Sequence, residues 1–286
     1  MNAPVTPTPP AVAPISVRFD AASPERFSRA VRDLRQGFAQ RRLAWTLAWL
    51  DLRNRYRGSV LGPLWLTLST AVMLASLGFL YSTLFQMSLA EYLPWLAVSL
   101  ILWNMIGQMV NEACTSLTSA EAIVRQMPLP FTVHALRCVI RNALVAAHNL
   151  PLMVIVLLIF GIVPGVEALL VLPGILLLGI NALAASLFLG MICARFRDIA
   201  PIVGSVMQIA FFMTPVIWKP QLLSPEYHVL LLINPFYALI EVIRAPLLEG
   251  GGGWAVWAAA LGYTVLNCAM SFAFFVRFRG RVAFWV

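Results

Sequence analysis

Hydrophobic positions along this chain gather into long runs separated by short basic or Pro/Gly-containing stretches. Six runs, 61–85, 93–113, 139–163, 168–193, 199–218 and 254–276, approach the roughly 20 apolar residues that carry a helix across a hydrocarbon core. None has Lys, Asp or Glu near its centre. Between 43 and 56 the pattern changes. Trp45, Trp49 and Leu52 recur at helical spacing, as do Leu43, Leu47 and Leu50, and Arg53, Arg55 and Arg57 close the segment. Trp beside Arg on a moderately apolar helix predicts an amphipathic element at a membrane surface. Ser23-Pro24-Glu25 reads as a helix start, with the cap, the first-turn proline and the first-turn acid in order. Thr118–Phe131 predicts a short helix stopped by Pro128 and Pro130, with an ordinary loop as the alternative. From Asn234 the chain is apolar and helix-like but too short to span, and it ends at Glu249 before Gly250–Gly253. That pattern predicts a re-entrant or interfacial helical hairpin.

The expected fold is therefore all-α: a polytopic membrane protein with six transmembrane helices, an N-terminal amphipathic interface helix and a re-entrant hairpin between spans five and six. Residues 1–22, Pro/Ala-rich and non-periodic, are expected as a disordered cytoplasmic tail. Residues 23–57 are expected as cytoplasmic amphipathic helices, 58–276 as the membrane domain and 277–286 as a cytoplasmic tail.

Composition narrows the class. Of 286 residues, 60% are hydrophobic and 11% charged, and the mean hydropathy is +0.84. A water-soluble enzyme, a disordered regulator and a disulfide scaffold are excluded, because a water-facing surface must be polar somewhere. The net charge of +8 follows topology rather than pointing to nucleic acid. Lys219 is the one lysine; the six-span reading puts eighteen arginines on the side of the termini and only Lys219 and Arg244 opposite. Both termini are then expected in the cytoplasm. Arg137 and Arg141, at the start of the third run, are expected to snorkel toward headgroups. Cys114, Cys138, Cys193 and Cys268 form no Cys-x-x-Cys pair and read as small buried hydrophobes. With five prolines and no basic stretch in the first fourteen residues, no secretory leader is expected.

Catalytic signatures are missing. There is no Gly-rich phosphate loop with Lys and no Gly-x-Ser-x-Gly elbow. His134, His148 and His228 are scattered and lack ligand spacing, so no metal is expected. Asp20, Asp33, Asp51 and Asp198 all fall on the cytoplasmic side, which argues against an embedded transferase. Ion-coupled transport is disfavoured for want of ionisable groups inside the spans. Neutral polar groups stand there instead: Asn104, Gln108 and Asn111 on one face of the second run, with Glu112 at its end, and Thr264, Asn267 and Ser271 on the sixth. Asn181, Gln208, His148 and Asn149 add to them. Interhelical hydrogen bonding and a neutral conduit suited to a sugar chain both account for them. Aromatics such as Tyr81, Trp95, Tyr237 and Trp254 read either as an interfacial belt or as an exit lining.

Several separated segments, in order, resemble one family. Arg57–Trp65 (RGSVLGPLW) is similar to its approach to the first span, and Ile123–Pro130 to its coupling-helix region. Phe196–Ile199 (FRDI) with Gln208 and Phe212–Trp218 (FMTPVIW) is similar to its fourth-to-fifth-span signature. Asn234-Pro235-Phe236 with Glu241 and Arg244 is similar to its external re-entrant helices. The family is the permease subunit of ABC exporters for O-antigen and capsular polysaccharide, the Wzm type, and the resemblance covers roughly residues 38–275. It implies a homodimer in the bacterial inner membrane, working with two copies of a cytoplasmic ABC ATPase. This chain would be no enzyme and carry no cofactor, ATP and Mg binding the partner. The cargo would be a polyprenyl-pyrophosphate-linked polysaccharide, moved through a channel at the dimer interface. A drug, peptide or teichoic-acid-like polymer is the alternative cargo. The resemblance further implies ATPase coupling through Glu121, Ile123, Arg125, Met127 and Pro128. Arg53, Arg55 and Arg57 would serve the interface helix or the lipid pyrophosphate. Asn104, Gln108, Asn111, Tyr81, Trp95, Thr264 and Asn267 would line the channel, and Asn234, Pro235, Tyr237, Glu241 and Arg244 would form an outer gate. The Pro-rich extension has no counterpart in the pattern.

Overall fold

A computed structural model describes residues 25–62, 64–127 and 129–286, and every regular element among them is helical. The expected tail 1–22, the Ser23-Pro24 cap and Pro128 lie outside the described residues, as does the side chain of Arg125. Two helices, α1 (Arg26–Ala39) and α2 (Arg41–Arg55), precede the long apolar ones and meet at Gln40. Each turns a stripe of small residues inward: Ala30 and Gly37 from α1, Ala44 and Ala48 from α2. Trp45 and Trp49 remain about half exposed on the other face of α2.

Five helical stretches are long and apolar enough to cross a membrane: Leu64–Leu84, Leu89–Thr115, Phe131–Ile159, Val166–Arg195 and Trp254–Val282. The first two are α3 and α4, and α4 opens with the Ser88 hydroxyl accepting from the Glu91 amide. The third is two helices, α6 (Phe131–Ala147) and α7 (Leu150–Ile159). They part at His148-Asn149 because Pro151 has no amide hydrogen for the Ala147 carbonyl. The fourth is a short 3-10 turn (Val166–Leu170) leading into α8 (Val171–Arg195). The last, α12 (Trp254–Val282), runs past the expected end at 276, so much of the expected tail is helical.

In the expected span 199–218 the helix is α9 (Ile199–Met213), only 15 residues and about 22 Å long, which is shorter than the five membrane-length stretches. It stops because Pro215 excludes the helical conformation from Thr214, which is extended (φ −93°, ψ 135°). Between α4 and α6 lies the short helix α5 (Glu121–Gln126). After α9 come two 3-10 turns, α10 (His228–Leu231) and α11 (Pro235–Leu248). Asn234 starts α11 by accepting from the Phe236 and Tyr237 amides, with Pro235 at the first position.

The core is built on α4 and α8. Gly190 lets α8 lie against Ser116 and Leu117, where a Cβ would collide with the serine hydroxyl, and Gly174 lets it lie against the Val242 carbonyl of α11. Serines lock these contacts: Ser116 donates to the Ser186 carbonyl (3.2 Å) and Ser271 to Ala184 (2.7 Å). By contrast α9 buries only Met207, leaving Ile202, Val206, Ile209 and Phe212 exposed.

Candidate functional site

At the arginine-rich end, α2, α4 and α6 meet around two carboxylates. Asp51 receives Nε (2.6 Å) and Nη2 (2.6 Å) of Arg137 and Nη1 of Arg141 (3.0 Å). Glu112, near the end of α4, receives Arg141 through both Nε (2.9 Å) and Nη2 (2.6 Å), Asn142 Nδ2 (2.8 Å) and Arg55 Nη2 (2.7 Å). Burial alone would raise the Asp51 carboxyl, but Arg137 and Arg141 outweigh it and hold it below the ordinary carboxylate value. The network corrects the expectation that Arg137 and Arg141 snorkel to headgroups. Sequence spacing did not point to it, because the partners stand 29 to 90 residues apart.

Of the residues expected to meet lipid pyrophosphate, Arg55 is engaged with Glu112, while Arg53 and Arg57 are exposed. In the expected coupling segment, Glu121 and Ile123 are half-buried and Met127 is exposed. Val124 packs on an apolar cluster formed by Ala30, Leu117, Phe131, Met191, Phe275 and Val282, which joins α5 to α1, α6, α8 and α12.

The neutral polar residues divide. On α12, Thr264 and Asn267 face α8: Asn181 Nδ2 donates to Thr264 Oγ1 (2.7 Å), and Asn267 Nδ2 donates to Asn181 Oδ1 (3.0 Å). These are interhelical bonds within the chain. On α4, Asn104 and Gln108 are half-exposed and Asn111 is exposed. Gly204 of α9 faces Asn111, so the exposed Ser205 and Gln208 continue this surface onto α9.

At the opposite end of α4, Trp95 lies beneath a buried guanidinium. Arg244 of α11 has no solvent exposure; its Cζ stands 3.4 Å from the Trp95 ring centroid. Its Nε donates to Glu241 (3.0 Å) and its Nη2 pairs with the same carboxylate. Nη1 donates to Ser99 Oγ (2.7 Å) and to the Pro215 carbonyl (2.7 Å). Ten consecutive residues of α11, Tyr237 to Pro246, are buried. Asn234 Nδ2 donates to Thr214 Oγ1 (2.8 Å), and Pro235 is exposed. Nearby, Tyr81 stacks on Phe85 (5.5 Å), and Tyr92 Oη donates to the Ile217 carbonyl (2.5 Å). Among the described residues no three His, Cys, Asp or Glu side chains gather as a metal site.

Residues 42–248, from α2 through α11, match the family described as ABC-2 type transporter. The chain belongs to that family. Among curated proteins, this ABC-2 permease is 25% identical over 222 residues to the O-antigen export system permease protein RfbA of Myxococcus xanthus, covering 77% of this chain and 85% of that one. It is 21% identical over 202 residues to a protein of the same name from Klebsiella pneumoniae, covering 70% and 78%. With its apolar helices, the ABC-2 permease is a multi-pass membrane protein and an ABC exporter permease.

Two acids that hold the arginine-rich end together, Asp33 and Asp51, entered the sequence reading only as cytoplasmic charges. A detectable signal existed for Asp33, which interrupts a stripe of small residues at Ala30 and Gly37; Asp51 lies beside Leu52, which continues the Ala44–Ala48 face of α2.

Proposed function

We propose that this chain is the membrane subunit of an ATP-driven exporter that moves a polyprenyl-pyrophosphate-linked O-antigen or related polysaccharide across the bacterial inner membrane. The observation that carries the reading is likeness over three quarters of the chain to a permease named for O-antigen export. The neutral, hydrogen-bonding surface of Asn104, Gln108, Asn111, Ser205 and Gln208 supports a polyhydroxylated cargo over an ion. Two copies of the chain pair with two copies of a cytoplasmic ATPase, which binds ATP and Mg. The cargo path runs between the copies, and the α4–α9 surface lines it. Both termini are cytoplasmic, α9 with Thr214–Trp218 crosses the bilayer as the fifth of six spans, and α10 and α11 form the re-entrant hairpin between it and α12.

In this arrangement α2 lies on the cytoplasmic membrane surface, with Trp45 and Trp49 in the headgroup layer. Arg53 and Arg57 meet the lipid pyrophosphate, since guanidinium forks suit phosphate oxygens. The ATPase docks on α5 through Glu121, Ile123, Arg125, Met127 and Pro128, so that nucleotide-driven closure is delivered to α4 and α6.

The test is ATP hydrolysis by the complex co-purified with its ATPase, in lipid nanodiscs, with and without polyprenyl-linked polysaccharide. Stimulation by the glycolipid, lost in a Glu121→Arg and Arg125→Glu double variant, is the expected result. Failure of any ATPase to co-purify, with chemical alteration of the glycolipid by the chain alone, would overturn the reading.

A further inference from the structure

Asp33 stands where three parts of the chain converge. Its carboxylate is fully buried on α1, between Ala30 and Gly37. Oδ1 accepts from the Thr132 amide (3.1 Å) and the Thr132 hydroxyl (2.8 Å), and Oδ2 accepts from the Phe131 amide (3.2 Å). These are first-turn donors of α6, so a residue nearly a hundred positions away supplies the carboxylate that a helix N-terminus favours. Oδ2 also receives Arg279 Nε of α12 (2.7 Å), and the Arg279 guanidinium lies over the Phe131 ring (5.8 Å). Gly37 completes the contact, because a Cβ there would collide with Thr132.

The position of this junction matters. Four residues separate the end of α5 from the start of α6, and Val124 of α5 packs on the same apolar cluster as Phe131, Ala30 and Val282. A displacement of α5 therefore reaches α6 at the turn that Asp33 holds, and passes through Arg279 to the end of α12. We infer that Asp33 is a positioning residue for coupling: it makes α1, the start of α6 and the end of α12 one block that moves with α5. The coupling role rests on the exporter reading above; the clamp itself does not.

Two measurements separate these. In the chain alone, in nanodiscs and with Cys268→Ser, spin labels at Gln36→Cys and Arg281→Cys report the α1–α12 distance. A narrow distribution that broadens with Asp33→Asn is expected; an unchanged distribution overturns the clamp. In the complex with its ATPase, Asp33→Asn is expected to keep basal hydrolysis within about twofold while glycolipid stimulation falls at least about fivefold. Arg279→Gln should show a smaller loss and Arg279→Lys nearly none. A merely structural role would lower basal and stimulated rates together, and that outcome, or an unchanged stimulation ratio, overturns the positioning role. If no ATPase co-purifies with the wild type, the exporter reading and the coupling role fall together, while the distances still decide the clamp.

Discussion

Helix α4 carries an ion-pair assembly at each end, and the two are built differently. Glu112 and Trp95 are separated by about 25 Å of helix. At Glu112, three arginines and an asparagine share two carboxylates, and Arg55 keeps 39% of its side chain exposed. At Trp95, one arginine with no exposure meets one carboxylate, one hydroxyl, one carbonyl and one aromatic face. The first ties three helices through five charged side chains that keep between 11% and 39% of their surface exposed, Arg55 the most open. The second excludes water and fixes α11 on α4 and on the Pro215 turn. The lesson is that a network of several partners with some solvent access can re-pair as helices shift, whereas a single fully desolvated arginine tolerates no partial geometry. The Asp51–Glu112 network is therefore the more yielding of the two assemblies on α4, and α11 is held as part of the frame.

The most severe way to break this contrast is Arg244→Met, which leaves the Glu241 side chain buried without its partner. A loss of about 3–5 kcal/mol is expected, read as a lowered unfolding midpoint in detergent. Adding Glu241→Leu should recover most of that loss, since a packed apolar pair replaces a buried ion pair at little cost. A double variant no better than the single one would mean that the stacking on Trp95, rather than the pair, holds α11. Next comes Arg141→Gln, which removes the bridge between Asp51 and Glu112 and should cost about 1.5–3 kcal/mol in the same assay.

Acid sharpens the comparison further. The Asp51 carboxyl is held below its unfolded value of 3.8, so its stabilisation is fully present above that value and is lost as pH falls through the folded one. Unfolding midpoints should drop below about pH 4, and Asp51→Asn should flatten that part of the profile. The smallest effect belongs to Arg55→Gln, at about 0.5–1 kcal/mol, shrinking as salt rises from 50 to roughly 500 mM. Equal salt sensitivity for Arg244→Met would erase the distinction between the two ends.

Much of the fold could be read from hydropathy, because a span advertises itself by length. The runs at 61–85, 93–113, 168–193 and 254–276 each contain or overlap a long observed helix. Punctuation was harder. Pro215 ends α9 at Met213, and Pro151 divides α6 from α7, details that an apolar run alone conceals. The helix from Asn234 was legible through its cap and proline, yet the burial of Arg244 was not, since an arginine flanked by apolar residues reads equally as a snorkelling charge. The Asp33–Arg279 contact joins positions 246 apart, beyond the reach of any periodicity. Thr264 and Asn267 show the converse: spacing found them, and only the packing of α8 reveals that they bond within the chain.

The most direct test of the export reading is movement of the cargo itself. The complex with its ATPase, reconstituted in sealed proteoliposomes with polyprenyl-pyrophosphate-linked polysaccharide in the outer leaflet, would be given ATP and Mg outside. ATP-dependent protection of the polysaccharide from an added glycosidase, absent with a hydrolysis-deficient ATPase, is the result the account predicts. Polysaccharide that stays fully accessible while ATP is hydrolysed at the stimulated rate would contradict it.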